Sequence, residues 1–272
     1  MKIVAVDCGR SRVKVAVEGQ KPFMFPSVLG QYHKRGYRED LPGDIEMFYN
    51  GSGYFIGQLA EREAYNPYRN FDQTKVTKET LLLTLAALWQ TGIQDDIFLV
   101  MPIPIKNYED EDERRGLKEL LKGEHEVTVN GDNRTIHISR VMIVMEGAVS
   151  FFANYRPGTV RILDLGSRMW NAATFKDGVY INRESGSFNL GCDMLGKDTK
   201  VTEEQIQTAA DTINGEVRRL RWEDHDSVLL IGGGNEAFAP YIQNYFPNAE
   251  VVKDGVYANV LGCLAAGKAR RS

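Results

Sequence analysis

Residues Val4 to Val17 join two apolar runs through a polar turn that carries Asp7, Gly9 and Lys14. Alternating apolar residues on both sides of a short turn predict a β-hairpin. Its tip suits anion chemistry. A hairpin tip exposes backbone N–H groups, and Gly9 lets an oxyanion come close to them or the chain take a positive φ. Lys14 adds positive charge, and Asp7 can face a phosphate-bound Mg2+ through water. An ordinary hairpin with solvated charges fits the same residues. The pattern returns in Val160 to Ser167, an apolar strand ending in Asp164-Leu-Gly166 and followed by a second apolar run, Met169 to Phe175. Two strand-acid-glycine turns, each opening a meander, predict a duplicated fold with two facing phosphate-contacting hairpins.

Other residues with chemical potential are more ambiguous. Glu146 follows an apolar strand at a predicted helix start, where it either complements the helix dipole or orients an attacking water. Gly232-Gly-Gly234 follows the apolar run Val228 to Ile231 and precedes a helix starting near Asn235. It permits close approach of a ligand to the backbone, or simply makes a tight turn. It lacks the third glycine of a dinucleotide fingerprint. Gly191 to Lys197 matches most of a Walker A motif, but Asp198 stands where Ser or Thr would bind Mg2+, so we read it as a helix entrance.

The composition narrows the setting. With 272 residues the chain can form one large domain or two smaller ones. A net charge of −4 supplies no global basic field, so contact with DNA would need a local patch or an adaptor. Cys8, Cys192 and Cys263 are widely spaced and fit a reduced, cytoplasmic setting without a disulfide framework. Neither a signal peptide nor a membrane-spanning run is recognisable, so we expect a soluble protein.

The intervening elements must position these residues. Phe23 to Ser27 reads as a third strand, Glu46 to Asn50 and Tyr54 to Ile56 as a small hairpin, and Gln58 to Ala64 as a short helix. Thr77 is placed to cap a helix reaching Gln90. Ile97 to Met101 reads as a buried strand ended by Pro102 and Pro104, and the acidic segment from Tyr108 as the start of a helix to Leu121. Glu124 to Val129, Arg134 to Ser139 and Val141 to Val144 read as strands, and Glu146 to Asn154 as a helix. Arg156-Pro-Gly158 marks a domain break. Thr202 and Gln205 form a capping box for a helix to Leu220. The final helix, Val256 to Lys268, carries small residues that would let it cross the 146–154 helix closely.

In order, Asp7-x-Gly9-x-x-x-x-Lys14, the strand into Glu146-Gly147, Asp164-Leu-Gly166, Gly232-Gly-Gly234 and Tyr257-Ala258-Asn259-x-x-Gly262 resemble the phosphate 1, connect 1, phosphate 2, adenosine and connect 2 motifs of the actin-like ATPase superfamily. Phe25-Pro-Ser27, Tyr54 to Ala60 and Met101-Pro-Ile-Pro104 are similar to segments of bacterial plasmid-segregation actins of the ParM and AlfA type. The resemblance spans essentially the whole chain. It implies an α/β actin-like fold of two ribonuclease-H-like domains with a nucleotide cleft between them. Residues 1–157 would form domain I, with the C-terminal helix 256–272 packed back on it, and 158–255 a reduced domain II without subdomain IIB.

The same resemblance implies ATP or GTP with Mg2+ as cofactors. It also implies an ATPase coupled to polymerisation into filaments that segregate plasmid DNA through a DNA-binding adaptor protein. Carried over residue by residue, Asp7 and Asp164 would act near Mg2+, with Glu146 and Asp164 as the catalytic carboxylates and Glu146 positioning water. Lys14 would touch phosphate, and Gly9, Arg10, Ser11, Gly166, Ser167 and Arg168 would line the β- and γ-phosphates. Gly232, Gly233, Gly234 and Asn235 would lie against the nucleoside. Arg168-Met169 and Asn171 replace the hydroxyl- and acid-bearing residues usual after the second Asp-x-Gly turn, which implies altered hydrolysis. Two other readings are a small-molecule kinase resembling type III pantothenate kinase, whose Gly-x-Asp-Arg motif is not found here, and a nucleotide-binding scaffold with negligible turnover.

Overall fold

The computed structural model describes residues 1–70, 72–195 and 201–271. Contacts divide the chain into two units. One comprises Met1–Met101, Asp110–Ile143 and Gly267–Ser272, the other Pro102–Glu109 and Val144–Ala266.

A nine-stranded sheet frames the first unit. β1 (Lys2–Cys8) and β2 (Arg12–Val17) pair antiparallel, and β3 (Phe23–Pro26) completes the meander at the sheet edge. β4 (Leu29–Gln31), β5 (Ile45–Tyr49) and β6 (Ser52–Ile56) lie toward the other edge and lead into α1 (Gln58–Glu63). α2 (Lys78–Gln90) begins where the Thr77 hydroxyl accepts the Thr80 N–H, satisfying a donor that a helix start leaves open. β7 (Ile97–Ile103) runs parallel to β1 with every residue buried, which explains its unbroken apolar sequence. It passes through Pro102 instead of stopping there, because its pairing with β1 ends at Val100 and the missing N–H lies beyond.

The helix expected from Tyr108 to Leu121 starts at Glu111, and a separate short helix precedes it. α3 (Ile105–Tyr108) ends, and Asp110 caps α4 (Glu111–Leu121) by accepting the Asp112 and Glu113 N–H groups. β8 (Gly123–Val129) and β9 (Asp132–Met145) form a hairpin over Asn130 and Gly131, both at positive φ. β9 absorbs the separate strand expected at Val141 to Val144. The helix expected from Glu146 to Asn154 does not form. Gly147 has a φ of +74°, and only a 3-10 turn, Ala148–Phe152, follows it. Left-handed backbone at Gly147 excludes Glu146 from any helix, and Val149, Phe151 and Phe152 are indifferent helix formers.

The second unit repeats the opening topology. β10 (Thr159–Leu165), β11 (Trp170–Lys176) and β12 (Val179–Tyr180) form a meander, and β13 (Gly186–Phe188) also pairs with β11. α5 (Glu203–Arg219) opens on the capping box of Thr202 with Gln205. β14 (Ser227–Ile231) lies parallel to β10, as β7 does to β1. α6 (Asn235–Gln243), β15 (Ala249–Val251) and α7 (Ala258–Arg271) complete the chain.

Alternation along β10 decides where its chemistry points. Leu163 and Leu165 pack with Trp170, Ala210, Ile213 and Phe238 on one face. Val160 and Ile162 pack with Phe151, Phe175 and Ala258 on the other. Asp164 shares the parity of Val160 and Ile162, so it faces the 3-10 turn and the start of α7. α7 and that turn approach closely through Gly262, where a Cβ would stand 2.1 Å from the Val149 carbonyl oxygen. The small residues of the last helix therefore serve the close contact anticipated for them, against a 3-10 turn.

Candidate functional site

The first hairpin brings Asp7, Gly9 and Lys14 together. Asp7 and Lys14 are directly opposed in the β1–β2 register, and Lys14 Nζ lies 3.4 Å from Asp7 Oδ2. Asp7 is only 3% exposed, so a partnered charge at this depth is what the interior tolerates. Gly9, Arg10 and Ser11 form the tip. A Cβ at Gly9 would meet the Arg12 carbonyl oxygen at 2.9 Å, so the turn requires glycine. Ser27 ties the tip to β3: its hydroxyl donates to the Gly9 carbonyl at 2.6 Å, and its N–H to the Ser11 carbonyl at 3.0 Å. The Cys8 thiol points instead to α2, 3.4 Å from Thr84 Oγ1, and burial pushes its pKa up to about 11.

The second hairpin has the same plan with different side chains. Asp164 is 2% exposed and stands opposite Asn171 in the β10–β11 register. Gly166 repeats the requirement at Gly9, since its Cβ would meet the Met169 carbonyl oxygen at 2.7 Å. Gly166, Ser167 and Arg168 form the tip, with the Gly166 carbonyl accepting Trp170 Nε1–H at 3.1 Å. Gly191 packs onto this tip so tightly that a Cβ would stand 2.3 Å from the Arg168 carbonyl carbon. The Cys192 and Asp193 N–H groups donate to the Gly166 and Ser167 carbonyls at 3.2 and 2.7 Å. Those donors are committed to the tip and are not arranged as a phosphate loop. Gly196, Lys197 and Asp198 of that segment lie outside the described residues.

Asn259, on α7, organises the surroundings of Asp164. Its Nδ2 donates to Asp164 Oδ2 at 2.8 Å, and its Oδ1 accepts the Gly147 N–H at 2.8 Å. At 4% exposure, both ends of the carboxamide are engaged. A Cβ on Gly147 would lie 3.4 Å from Asp164 Cβ and 3.2 Å from Asn171 Cβ, so the turn that carries Glu146 rests on the opposed pair. Glu146 is itself tied to β7, its N–H donating to the Ile103 carbonyl at 2.7 Å. Asn259 lies within the Tyr257–Gly262 motif, but its partners are 95 and 112 positions away, so no local pattern announces them.

The glycine triplet closes on the same aspartate. Gly232 has a φ of +89°, and its Cβ would stand 2.6 Å from Asp164 Oδ1. The Gly234 N–H donates to the Leu165 carbonyl at 3.0 Å. Asn235 packs under Gly255, whose Cβ would meet Asn235 Nδ2 at 2.3 Å. Gly233 differs from its neighbours: among the described residues, its own chain neighbours aside, no atom lies within 4 Å of its Cβ position.

Two further observations fit a phosphorylated ligand with Mg2+. The carboxylates of Asp7 and Asp164 are hard oxygen donors of the kind Mg2+ takes, directly or through water. Asn171 Oδ1 accepts the Ser187 hydroxyl at 2.7 Å, whereas its buried Nδ2 has no partner among the described residues. A buried donor of that kind calls for an acceptor such as a ligand oxygen or an ordered water. Among the described residues, no group of three His, Cys, Asp or Glu side chains is arranged to hold a metal ion by itself.

Comparison with known proteins places this architecture. The family model for the N-terminal domain of actin-like proteins matches residues 5–148, more than half of the chain, and the chain belongs to that family. No curated protein matches it by sequence. An archaeal actin homolog in complex with ADP is similar over 100% of both chains, with a TM-score of 0.80 and 20% identity. ParM in a 15-stranded filament from Clostridium botulinum is similar over 98% of this chain and 99% of its own, with a TM-score of 0.81 and 18% identity. The filament structure of AlfA from the Bacillus subtilis plasmid pLS32 is similar over 97% and 98%, with a TM-score of 0.76 and 20% identity. The fold is therefore the α/β actin-like fold.

Proposed function

We propose that this protein binds ATP or GTP with Mg2+ through both hairpins, and that the nucleotide drives its assembly into filaments. The observation that carries the proposal is the matched pair of strand-acid-glycine turns. Asp7 and Asp164 occupy equivalent strand ends, and Gly9 and Gly166 are each required by a carbonyl three residues on. Lys14 and the tip amides would hold phosphate, Asp7 and Asp164 would hold the Mg2+ hydration shell, and Gly232 to Gly234 with Asn235 would face the nucleoside. Bound Mg2+ would neutralise charge developing on the phosphates. Glu146 would hold the attacking water, and Asp164, kept in place by Asn259, would keep its orientation toward the metal site.

Assembly is supported by likeness to ParM and AlfA, both described as filaments. Subunits added head to tail through heterologous contacts would make an open helix. In this reading the filament moves plasmid DNA through a DNA-binding adaptor in the cytoplasm, since the net charge of −4 gives no general attraction to DNA. A second reading, a nucleotide-binding scaffold with negligible turnover, is favoured by one feature: Asn171 stands opposite Asp164 where the superfamily uses an acid or hydroxyl.

Sedimentation with and without ATP–Mg2+, with phosphate release measured in the same samples, tests both. Pelleting with release supports the first reading, and pelleting or tight binding without release supports the scaffold. A protein that stays monomeric at high concentration with every nucleotide contradicts filament assembly. Glu146→Ala is expected to slow phosphate release about 100-fold while nucleotide binding changes little.

A further inference from the structure

We propose that Lys75 is a second polyphosphate-binding cation of the first hairpin, held ready by Glu113. The inference rests on the nucleotide-binding reading above and adds a residue that no sequence motif marked.

Lys75 Nζ donates to the Cys8 carbonyl at 2.5 Å. Cys8 lies between Asp7 and Gly9, so the strand end and tip that carry the first acid receive lysines at two successive residues: Lys14 on Asp7 and Lys75 on Cys8. The backbone beneath Lys75 is fastened on several sides. Glu113 of α4 accepts the Lys75 N–H at 2.6 Å on one carboxylate oxygen and the Thr74 hydroxyl at 2.6 Å on the other. The Thr77 N–H donates to the Lys75 carbonyl at 2.9 Å, and the Val76 methyls pack 3.3 Å from the Cβ position of Gly116. The same Thr77 hydroxyl accepts Asn70 Nδ2 at 2.8 Å and caps α2.

Glu113 is only 9% exposed and is spent on two neutral donors in one loop. Such a clasp fixes where the following lysine starts from, while the four-carbon stem and rotatable ammonium stay free to choose an acceptor. The carbonyl offers the ammonium no opposite charge; a phosphate oxygen does, and so forms the stronger hydrogen bond. Lys75 can therefore exchange the Cys8 carbonyl for a phosphate with a net gain, using one of its three N–H donors or keeping the carbonyl on another.

The test compares wild type with Lys75→Met, which keeps the apolar stem, and Lys75→Arg, which keeps the charge. Binding of fluorescent ATP, of inorganic tripolyphosphate by competition, and of adenosine is measured, with the thermal midpoint of the nucleotide-free protein as a fold control. Lys75→Met is expected to weaken ATP and tripolyphosphate about 10- to 100-fold and adenosine less than twofold, with Lys75→Arg recovering most of the loss. Glu113→Gln, which cannot accept from both donors, is expected to give a smaller loss of about threefold in the same direction. ATP affinity within twofold of wild type in Lys75→Met overturns the inference, as does an equal loss for ATP and adenosine, which would mean that Lys75 only shapes the tip. Wild type that binds none of the three ligands contradicts the nucleotide-binding reading itself, a separate outcome.

Discussion

Lys14 stands opposite Asp7 in the hairpin of the first unit, and Asn171 stands opposite Asp164 in the hairpin of the second. The two backbones solve the same problem in the same way: a parallel inner neighbour, an antiparallel return strand, and a glycine where the turn folds under its own carbonyl. Their side chains have diverged. The first hairpin is framed by ammonium groups, Lys14 and Lys75, which attract anions over a broad range of angles. In the second, the acid itself is flanked by carboxamides, Asn171 and Asn259, which are neutral and directional, and the cation Arg168 stands only at the tip. In the nucleotide-binding function proposed above, the contrast would give the first hairpin the stronger phosphate attraction and the second the positioning of its acid.

Removing each aspartate breaks this comparison most strongly. Asp164→Ala is expected to lower phosphate release about 100-fold or more, and to cost about 1–3 kcal/mol of stability because Asn259 Nδ2 is left buried without its acceptor. Asp7→Ala should cost less stability, below about 1 kcal/mol, since the Lys14 side chain is 16% exposed and can turn to water. Chemical denaturation of both variants checks the difference. A first-unit variant that loses more stability than the second-unit one would invert the assignment.

Asn259→Ala comes next. It should reduce turnover about tenfold, as loss of an outer partner of a metal site does. It should also speed hydrogen exchange at the Gly147 amide, which no longer has an acceptor. Unchanged exchange there would separate Asn259 from the turn that carries Glu146. Lys14→Asn, which gives the first hairpin the residue type of the second, is expected to weaken ATP about tenfold by equilibrium binding, with a smaller effect on ADP.

The smallest effect concerns the cysteines beside the two hairpins. Burial raises both the Cys8 and the Cys192 thiol to about 11, so each is protonated at pH 8 and a poor nucleophile. Cys8 is buried and Cys192 only partly so. Iodoacetamide at pH 8 should therefore label Cys192 slowly and Cys8 more slowly still, as peptide mass mapping would report.

What the sequence displayed and what it concealed follow from the range of the interactions. The hairpins were visible because Asp7, Gly9 and Lys14, or Asp164 and Gly166, lie within one strand-turn-strand. The caps at Thr77 and Thr202 were visible for the same reason. Gly262 could be read because only a small residue permits so close a helix contact. The segment after Glu146 reads as a helix by its apolar spacing, whereas Gly147 takes a positive φ beside Asp164 and Asn171, neighbours distant in sequence that no local pattern shows. Lys75 was invisible: it sits in a loop without a motif, and its carbonyl partner is 67 positions away.

In the proposed function, a nucleotide held by both hairpins drives assembly. Negative-stain electron microscopy of the purified protein with ATP–Mg2+, beside the nucleotide-free sample and Asp164→Ala with ATP–Mg2+, tests it most directly. Filaments in the first sample and none in the other two are the expected result. Dispersed particles in all three, at concentrations where ATP is bound, would contradict it.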